Sequence, residues 1–472
     1  MNSEHNLSRR GFLKGAAATG IGAGFFLNLN GQTDAKTETS GKKAKNLILM
    51  VSDGMNNGTF AAANHWLNYN ENRDSAWMKL YSDKFAMRRL VETSCANSIV
   101  TDSAAASSAW GIGQRVNLGS INVAPDGSKP TPLALLAKAK GKSAGMVTTA
   151  RITHATPAGF AANVHDRDLE EIIAEQYLER KIEVLLGGGD EFFAPEKRED
   201  TKDLYAAYDQ AGYQIVKNRE ELTKASVSDQ PLLGVFSKGH VPFYIDRANN
   251  TEIGAKTPSL ELMTTAALDR LSRNPNGFVL QIEAGRVDHA AHVMDPASII
   301  YEQLEFDRTI DLVRKFAEKH GDTLVAVTTD HGTGGFMLNG AYDGYENAVR
   351  FLDLSKCKGS YETLLHRVDL KNIQDTLVPA IESVLNIQLG AAEKERLFML
   401  LEHPQVPWLD KTKQIGQALN SVLFNHFSVA WTSNNHTGDL VELAMFGPGA
   451  EILPGYVENW QLHGMFRDVL GI

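Results

Sequence analysis

The sequence predicts an α/β fold whose largely parallel central sheet is flanked by helices on both faces. Continuous apolar runs of strand length recur along the chain and end in polar residues, a pattern typical of buried parallel strands. Segments with helical periodicity lie between these runs, and strands that alternate with helices favour a parallel sheet. Because ligands bind at the carboxyl ends of strands in such sheets, we expect the functional site where the apolar runs end.

Five apolar runs are predicted strands, and three of them bring acidic residues to the expected ligand-binding edge. The first run ends near Asp53, a later one at Glu283 and the last at Asp330-His331. Carboxylates and imidazoles at one edge of a sheet indicate a site for metal ions. The runs span residues 46–54 (ending in Asp53-Gly54), 143–149, 182–186, 277–282 and 323–329, and the predicted helices between them span 131–140, 169–178 and 259–271.

Residues 41–472 are predicted to form the catalytic domain, with a charge-rich helical insertion over about 336–430. Helical periodicity in this insertion begins at Leu377, and Pro379 fits such a helix only in its opening turn. A shorter polar, helical insertion is predicted over residues 190–229.

Residues 1–40 are predicted to be an export signal of the twin-arginine type followed by a linker. Arg9-Arg10 precedes the apolar pair Phe12-Leu13, and a run rich in glycine and alanine follows. That run is too short and too rich in glycine for a stable membrane span. We therefore expect a periplasmic or secreted protein.

Net charge and cysteine content argue against nucleic-acid binding and against a zinc site built from cysteines. The 472 residues carry a formal net charge of -10, whereas nucleic-acid-binding modules present basic patches, so we expect no such module. Cys95 and Cys357 are the only cysteines, and their spacing excludes zinc held by a CxxC pair. Two buried thiols and a single disulfide are both compatible with this pair.

Two short motifs carry residue types that bind zinc. Asp288 and His292 share one face if a helix begins near Asp288, and that spacing suits two ligands of one ion. An N-capping Asp288 followed by surface histidines is the alternative interpretation. Asp330 and His331 are adjacent and precede glycines, so both can turn toward one ion.

Ser103 is the candidate nucleophile, at the start of an alanine-rich run directly after Asp102. A serine hydroxyl needs a base or a cation for its activation, and no basic residue adjoins Ser103 in the sequence. His154 and His436 are single histidines that become candidates only in the company of the clusters above. A serine combined with metal ligands suits phosphoryl or sulfuryl transfer, in which one cation activates the hydroxyl and another stabilises the leaving group.

These motifs, in this order, resemble the alkaline phosphatase family from Asn46 to Gly449, apart from the insertions. The matching segments are SDGM around Asp53, TDSAAAS around Ser103, HATPAGFAANVHDR from His154, EAGRVDHAAH from Glu283, DH at 330–331 and HTG at 436–438. The resemblance implies hydrolysis of phosphate monoesters to an alcohol and inorganic phosphate through a phosphoserine intermediate. It also implies two Zn²⁺ ions, one Mg²⁺ ion, small-molecule phosphomonoester substrates and a homodimer, with a monomer as the alternative.

The resemblance implies a role for each matching residue. Ser103 matches the nucleophile, Arg167 the arginine that holds the phosphate, and Asp102 the acid that positions it. The implied ligands are Asp288, His292 and His436 for the first zinc, Asp53, Asp330 and His331 for the second, and Asp53, Thr156 and Glu283 for magnesium. His154 and His289 occupy positions where some bacterial members have Asp and Lys, so we expect them around the magnesium and the phosphate.

The alternatives are another enzyme of the same superfamily and a binding protein without catalytic activity. A phosphodiesterase or a sulfatase would use a related site, but the segment that begins at Ser103 lacks the arginine of the sulfatase motif C/S-x-P/A-x-R. A non-catalytic exported protein that binds phosphate or metal would keep the ligands without turnover. Retention of Ser103 and Arg167 beside a complete ligand set favours an enzyme.

Overall fold

The computed structural model describes residues 43–225, 228–340, 343–404 and 409–472. The predicted export signal and linker over residues 1–40 lie outside the described residues. Within the described ranges, no helix is both long enough and apolar enough to cross a membrane.

A ten-stranded sheet organises the fold, and β9 pairs with β12 and β10 with β11 in two small sheets outside it. The strands of the described residues are β1 (Asn46–Val51), β2 (Met87–Glu92), β3 (Ser143–Arg151), β4 (Val184–Gly188), β5 (Gln214–Val216), β6 (Leu232–Val235), β7 (Phe278–Glu283), β8 (Thr323–Thr328), β9 (Gly332–Thr333), β10 (Met337–Leu338), β11 (Val429–Ala430), β12 (His436–Thr437), β13 (Val441–Phe446) and β14 (Tyr456–Glu458). The order in the main sheet is β14-β2-β13-β8-β1-β7-β3-β4-β6-β5. Only β13 runs antiparallel to its neighbours, β8 and β2, in this sheet of the described chain, so the predicted largely parallel sheet is confirmed.

Helices cover both faces of the sheet. They are α1 (Asn57–Glu71), α2 (Ala76–Ser82), α3 (Ser103–Ile112), α4 (Leu133–Ala139), α5 (Ala155–Ala161), α6 (Glu170–Glu179), α7 (Leu204–Gln210), α8 (Arg219–Lys224), α9 (Tyr244–Asn249), α10 (Thr251–Lys256), α11 (Leu260–Leu271), α12 (Arg286–His292), α13 (Pro296–His320), α14 (Tyr361–Leu365), α15 (Ile373–Leu385), α16 (Ala391–Glu402), α17 (Lys411–Phe427) and α18 (Gln461–Leu470), with 3₁₀ turns over Asp190–Phe192 and Tyr345–Lys356. Ile48 and Met50 of β1 join the core beneath α11 and α13. Leu47 and Leu49 join a second core beneath α3 to α6 and α18. This alternation is what strand geometry requires of a sheet buried on both faces.

A helical segment lies between β10 and β11 and packs on the same face as α13. Leu377 and Leu385 of α15 join the core on that face. Because α15 begins at Ile373, Pro379 lies beyond the opening turn, and the predicted position of this proline is wrong. Pro379 is exposed, so the carbonyl of Asp375 that loses its helical partner can bind water instead.

The predicted helical insertion over residues 190–229 contains a strand. The three residues of β5, Gln214–Val216, pair in parallel with β6 and form one edge of the main sheet. A strand of three residues is too short to show the periodicity by which strands are recognised in a sequence.

The two cysteines are buried free thiols. Cys95 packs against Ala105 and Ile112, whereas Cys357 belongs to the core beneath α13. Of the two interpretations that the sequence left open, the structure therefore has the unpaired thiols.

Candidate active site

The carboxyl ends of three adjacent strands bring the predicted acidic residues together. In the sheet β1 lies between β8 and β7 and is parallel to both. Asp53 follows β1, Glu283 ends β7 and Asp330 follows β8, so the three carboxylates converge at one edge. All three side chains are fully buried.

The helix α12 and the short strand β12 supply a second set of ligands. Asp288 Oδ2 lies 3.2 Å from Nε2 of His292, and Asp288 Oδ1 lies 3.8 Å from Nε2 of His436. These three side chains form a group whose ligand atoms all lie within 4.8 Å of one another. Gly285 is the N-cap of α12, so the interpretation of Asp288 as an N-capping residue is wrong.

Asp53 belongs to two further groups of the same kind. One group adds Asp330 and His331, with His331 Nε2 3.2 Å from Asp330 Oδ2 and 3.8 Å from Asp53 Oδ1. The other group adds Glu283 and His154. The hydroxyl of Thr156, in the first turn of α5, donates to Asp53 Oδ2 over 3.1 Å and so lies beside the second of these groups.

The hydrogen-bond partner of His154 decides which of its nitrogens carries the proton. Nε2 of His154 lies 3.0 Å from Nη2 of Arg167, and a guanidinium can only donate. Nε2 is therefore the acceptor, and the proton of the neutral ring lies on Nδ1, which is 3.8 Å from Glu283 Oε1. In this tautomer His154 presents a donor to the carboxylates rather than a lone pair to a metal ion.

The buried carboxylates fit bound cations. Asp53 Oδ1, Glu283 Oε1 and Asp330 Oδ2 are buried and have no hydrogen-bond partner, and in the described residues none of the three pairs with a lysine or an arginine. Burial, with the charges of Asp330, Asp288 and Glu283, raises the pKa of Asp53 well above its ordinary value. Burial and Asp288 raise the pKa of Asp330 to about 7. Buried carboxylates this close together can all remain ionised only if positive charge lies between them.

Ser103 lies at the start of α3, beside one of these groups. Its hydroxyl oxygen is 3.2 Å from Nε2 of His331, and the side chain is buried. Asp102 caps the helix, because its Oδ1 accepts from the backbone N–H of Ala105 over 3.0 Å. The cap fixes the first turn of α3 and thereby the direction of the Ser103 side chain.

Arg167 is positioned by two contacts near Ser103. Its Nη1 donates to Asp102 Oδ2 over 3.1 Å, and its Nη2 contacts His154. Asp102 Oδ2 also accepts from the backbone N–H of Gly119. Because Arg167 is only partly buried and a guanidinium has five N–H groups, donors remain for an anionic ligand.

One histidine of this region was assigned no role from the sequence. His240 lies on the segment that follows β6, and its ring centroid is 4.1 Å from that of His289, which in turn lies 5.5 Å from His154. No signal in the sequence could identify it, because no other candidate ligand or catalytic residue lies near it in the sequence and its partners are distant along the chain.

Comparison with known families agrees with this geometry. The profile of the family described as alkaline phosphatase matches residues 44–472. Alkaline phosphatase 4 of Bacillus subtilis is 30% identical over 447 residues, which cover 93% of this chain and 91% of that protein. Streptomycin-6-phosphate phosphatase of Streptomyces griseus is 33% identical over 346 residues, covering 63% of this chain and 75% of that protein.

Solved structures show the same similarity. The crystal structure of Thermus thermophilus alkaline phosphatase superposes with a TM-score of 0.85 at 34% identity, covering 91% of this chain and 92% of that one. The cold-active alkaline phosphatase of a psychrophilic Shewanella superposes with a TM-score of 0.74 at 26% identity, covering 90% of this chain and 99% of that one. The similarity therefore extends over nearly the whole described chain.

Proposed function

The chain belongs to the alkaline phosphatase family and is an enzyme, and on that premise we propose that it hydrolyses phosphate monoesters through a phosphoserine on Ser103, with two Zn²⁺ ions and one Mg²⁺ ion bound. One observation carries the proposal. A serine hydroxyl, an arginine and three groups of metal-ligating side chains converge at one edge of the sheet. Phosphomonoester hydrolysis by a metal-activated serine uses each of these parts.

The donor atoms of the three groups suit different ions. Two groups combine carboxylate oxygens with imidazole nitrogens, which is the donor set that zinc prefers; they are Asp288, His292 and His436, and Asp53, Asp330 and His331. In the third group His154 presents a donor, so the available ligand atoms are the oxygens of Asp53 and Glu283, with the hydroxyl of Thr156 beside them, and an all-oxygen set suits magnesium. When bound, these cations supply the positive charge that lowers the pKa of the Ser103 hydroxyl and neutralises the leaving oxygen.

The side chains of the protein itself perform the remaining tasks. In the first step the Ser103 oxygen attacks phosphorus in line, the bond to the ester oxygen breaks and the alcohol leaves. Arg167, held by Asp102, donates to two nonbridging oxygens of the phosphate. The positive end of the α3 helix dipole, at whose first residue Ser103 lies, favours the same anion. In the second step a water oxygen attacks phosphorus, the Ser103 oxygen leaves and inorganic phosphate is released.

Turnover measured with three classes of substrate tests the proposed function. The protein loaded with Zn²⁺ and Mg²⁺ should hydrolyse an aryl phosphate monoester far faster than the matching diester, because a second ester group would occupy an oxygen that Arg167 binds. It should also prefer the monoester to the matching sulfate ester, which brings one negative charge less to the cations and Arg167. Dialysis against a chelator should abolish turnover, and restored zinc and magnesium should recover it. Preferential turnover of the diester or the sulfate would overturn the proposal, and tight phosphate binding without turnover would favour a non-catalytic binding protein.

We also propose that the enzyme is exported and acts as a homodimer, with residues 41–472 as the catalytic domain and residues 336–430 as its insertion. Support for export is the twin-arginine segment at Arg9-Arg10, and the dimer rests on resemblance to the family. Substitution of both arginines by lysine should retain the protein in the cytoplasm, as cell fractionation would show. Light scattering of the purified enzyme should give twice the mass of the chain.

A further inference from the structure

The segment that carries His240 rests directly on the carboxyl ends of the central strands. The backbone N–H of Val241 donates to the carbonyl of Thr149 in β3 over 3.0 Å. At the end of β4, a Cβ on Gly188 would lie 2.1 Å from the carbonyl oxygen of Gly239, so the close approach of the segment requires glycine there. His240 is thus held at the same sheet edge as the active site, although it belongs to none of the metal-ligating groups.

Three imidazole rings connect this segment to the arginine of the site. The ring of His240 packs against that of His289 with centroids 4.1 Å apart, and the ring of His289 lies 5.5 Å from that of His154. His154 contacts Arg167 over 3.0 Å. His289 is therefore placed between a fixed loop and the side of the site where Arg167 would hold a phosphate.

The hydrogen bonds of His289 leave one nitrogen as a donor. Nη1 of Arg286 lies 3.2 Å from Nδ1 of His289, and since a guanidinium only donates, Nδ1 accepts and the ring proton lies on Nε2. Arg286 is itself fixed by Glu362, 2.6 Å away, and by the ring of Phe243, over which its guanidinium carbon lies at 3.7 Å. Among the described residues, Nε2 of His289 has no hydrogen-bond partner.

Arg151 fixes the orientation of the His240 ring. Its backbone N–H lies 3.2 Å from Nδ1 of His240, and its Nη1 lies 2.8 Å from Nε2. Glu170 binds the rest of this guanidinium in a bidentate contact. Both nitrogens of His240 face N–H groups of Arg151, so protonation of both is disfavoured, and in the neutral ring only one nitrogen accepts a hydrogen bond from Arg151. This one bond and the packing against His289 hold the ring in its orientation.

We propose that His240 is a positioning residue, which packs against the ring of His289 so that the Nε2–H of His289 is presented to the phosphate bound by Arg167. The inference rests on the proposed function, since it assigns a task within the same site. Without His240, the ring of His289 keeps its contact with Arg286 but loses the surface that prevents its rotation. A donor that is held in place binds an anion more tightly than one that must be ordered on binding.

Phosphate affinity of the metal-loaded protein tests this role. In His240→Ala, the dissociation constant of inorganic phosphate and the KM should rise about 3- to 10-fold, as expected for one weakened hydrogen bond. The kcat should change little, because the contact exists in both the ground state and the transition state. The same substitution in a His289→Ala background should add no further loss, since His240 acts through His289. His65→Ala, at an exposed histidine on α1, is the matched control and should leave phosphate affinity unchanged.

A conservative variant separates positioning from general disruption. His240→Phe keeps a flat ring against His289 and should restore phosphate affinity to within about twofold of wild type. Equal weakening in the Ala and Phe variants, or additive losses in the double variant, would overturn the inference. Calorimetric phosphate binding tests it even if the wild-type enzyme turns over no phosphomonoester, an outcome that would contradict the proposed function instead. Zinc and magnesium contents measured on each variant show that the metal sites are intact.

Discussion

The hydroxyl oxygen of Ser103 lies 3.2 Å from Nε2 of His331, at a nitrogen that carries a lone pair. The tautomer follows from Thr333, whose hydroxyl donates to Asp288 over 2.6 Å and therefore accepts from Nδ1–H of His331 at 3.2 Å. The Nε2 lone pair thus also faces Asp330 Oδ2, 3.2 Å away. A lone pair that faces a carboxylate oxygen is repulsive unless a cation lies between them, which favours His331 as a metal ligand over a general base.

Substitution of Ser103 by Ala should abolish most turnover and leave the metal content intact. The variant loses the attacking oxygen, and we expect kcat to fall by at least about 1000-fold. Ser103 belongs to none of the metal-ligating groups, so zinc and magnesium should bind as in the wild type. The exposed Ser128→Ala is a matched control that should keep full activity. Near-normal turnover by the metal-loaded Ser103→Ala variant would contradict the assignment of this serine.

The sequence predicts the strand ends well, for a physical reason. Strands buried on both faces are continuous apolar runs, so a polar residue that ends such a run lies at the edge of the sheet. Asp53, Glu283 and Asp330 were located in this way. Their assignment to particular ions came from resemblance to a family and stays a prediction, because spacing along the chain does not show which strands are neighbours.

Contacts between loops were beyond prediction from the sequence. His240 contacts His289 because β6 and β7 end at the same edge of the sheet and α12 begins directly after β7, whereas the two residues are far apart along the chain. The tautomers of His154 and His331 depend equally on partners from other elements. Short β5 was missed because three residues show no periodicity.

Substitution of Arg167 by Lys should weaken phosphate binding although it keeps the charge. A guanidinium binds Asp102 and the phosphate at once through separate N–H groups, whereas an ammonium is a point charge with three donors. We expect kcat/KM to fall about 10- to 150-fold, which corresponds to the loss of a charge-assisted hydrogen bond. Inhibition by inorganic phosphate measures the binding part of this effect. An inhibition constant equal to that of the wild type would show that Arg167 does not hold the phosphate.

Substitution of Gly54 by Ala should displace a metal ligand. Gly54 has a φ of 71°, and a Cβ there would lie 2.6 Å from Oδ1 of Asp288. The carboxylate of Asp288 would have to move, and zinc content should fall together with activity. Gly127→Ala is a matched control, because Gly127 has a φ of 83° but no atom within 4 Å of its Cβ position. Both variants place an alanine at a positive φ, so only displacement of Asp288 distinguishes them. Elemental analysis measures the zinc content of each, and equal zinc contents would refute the prediction.

Glu302, in the second turn of α13, should make the stability of the fold depend on pH. It is buried, its Oε1 accepts from the backbone N–H of Tyr244, and its Oε2 has no partner. Burial and the charge of Glu305 raise the pKa of Glu302 from 4.5 to about 7. Since the folded state binds this proton more tightly, the contribution to stability is complete below pH 4.5 and is lost as the pH rises through 7.

Replacement of Glu302 by Gln should remove this dependence. The neutral amide can still accept from Tyr244, so the variant should gain stability relative to wild type as the pH is raised from 5 to 9, by at most about 3 kcal/mol. The quantity to measure is the difference between variant and wild type in the free energy of unfolding, because the effect of pH on metal binding is common to both proteins and cancels. Glu318→Gln, at an exposed position near the end of the same helix, should show no such change. A stability difference for Glu302→Gln that is the same at both pH values would mean that the glutamate is ionised throughout and that its burial is compensated by neighbouring cations such as Arg247.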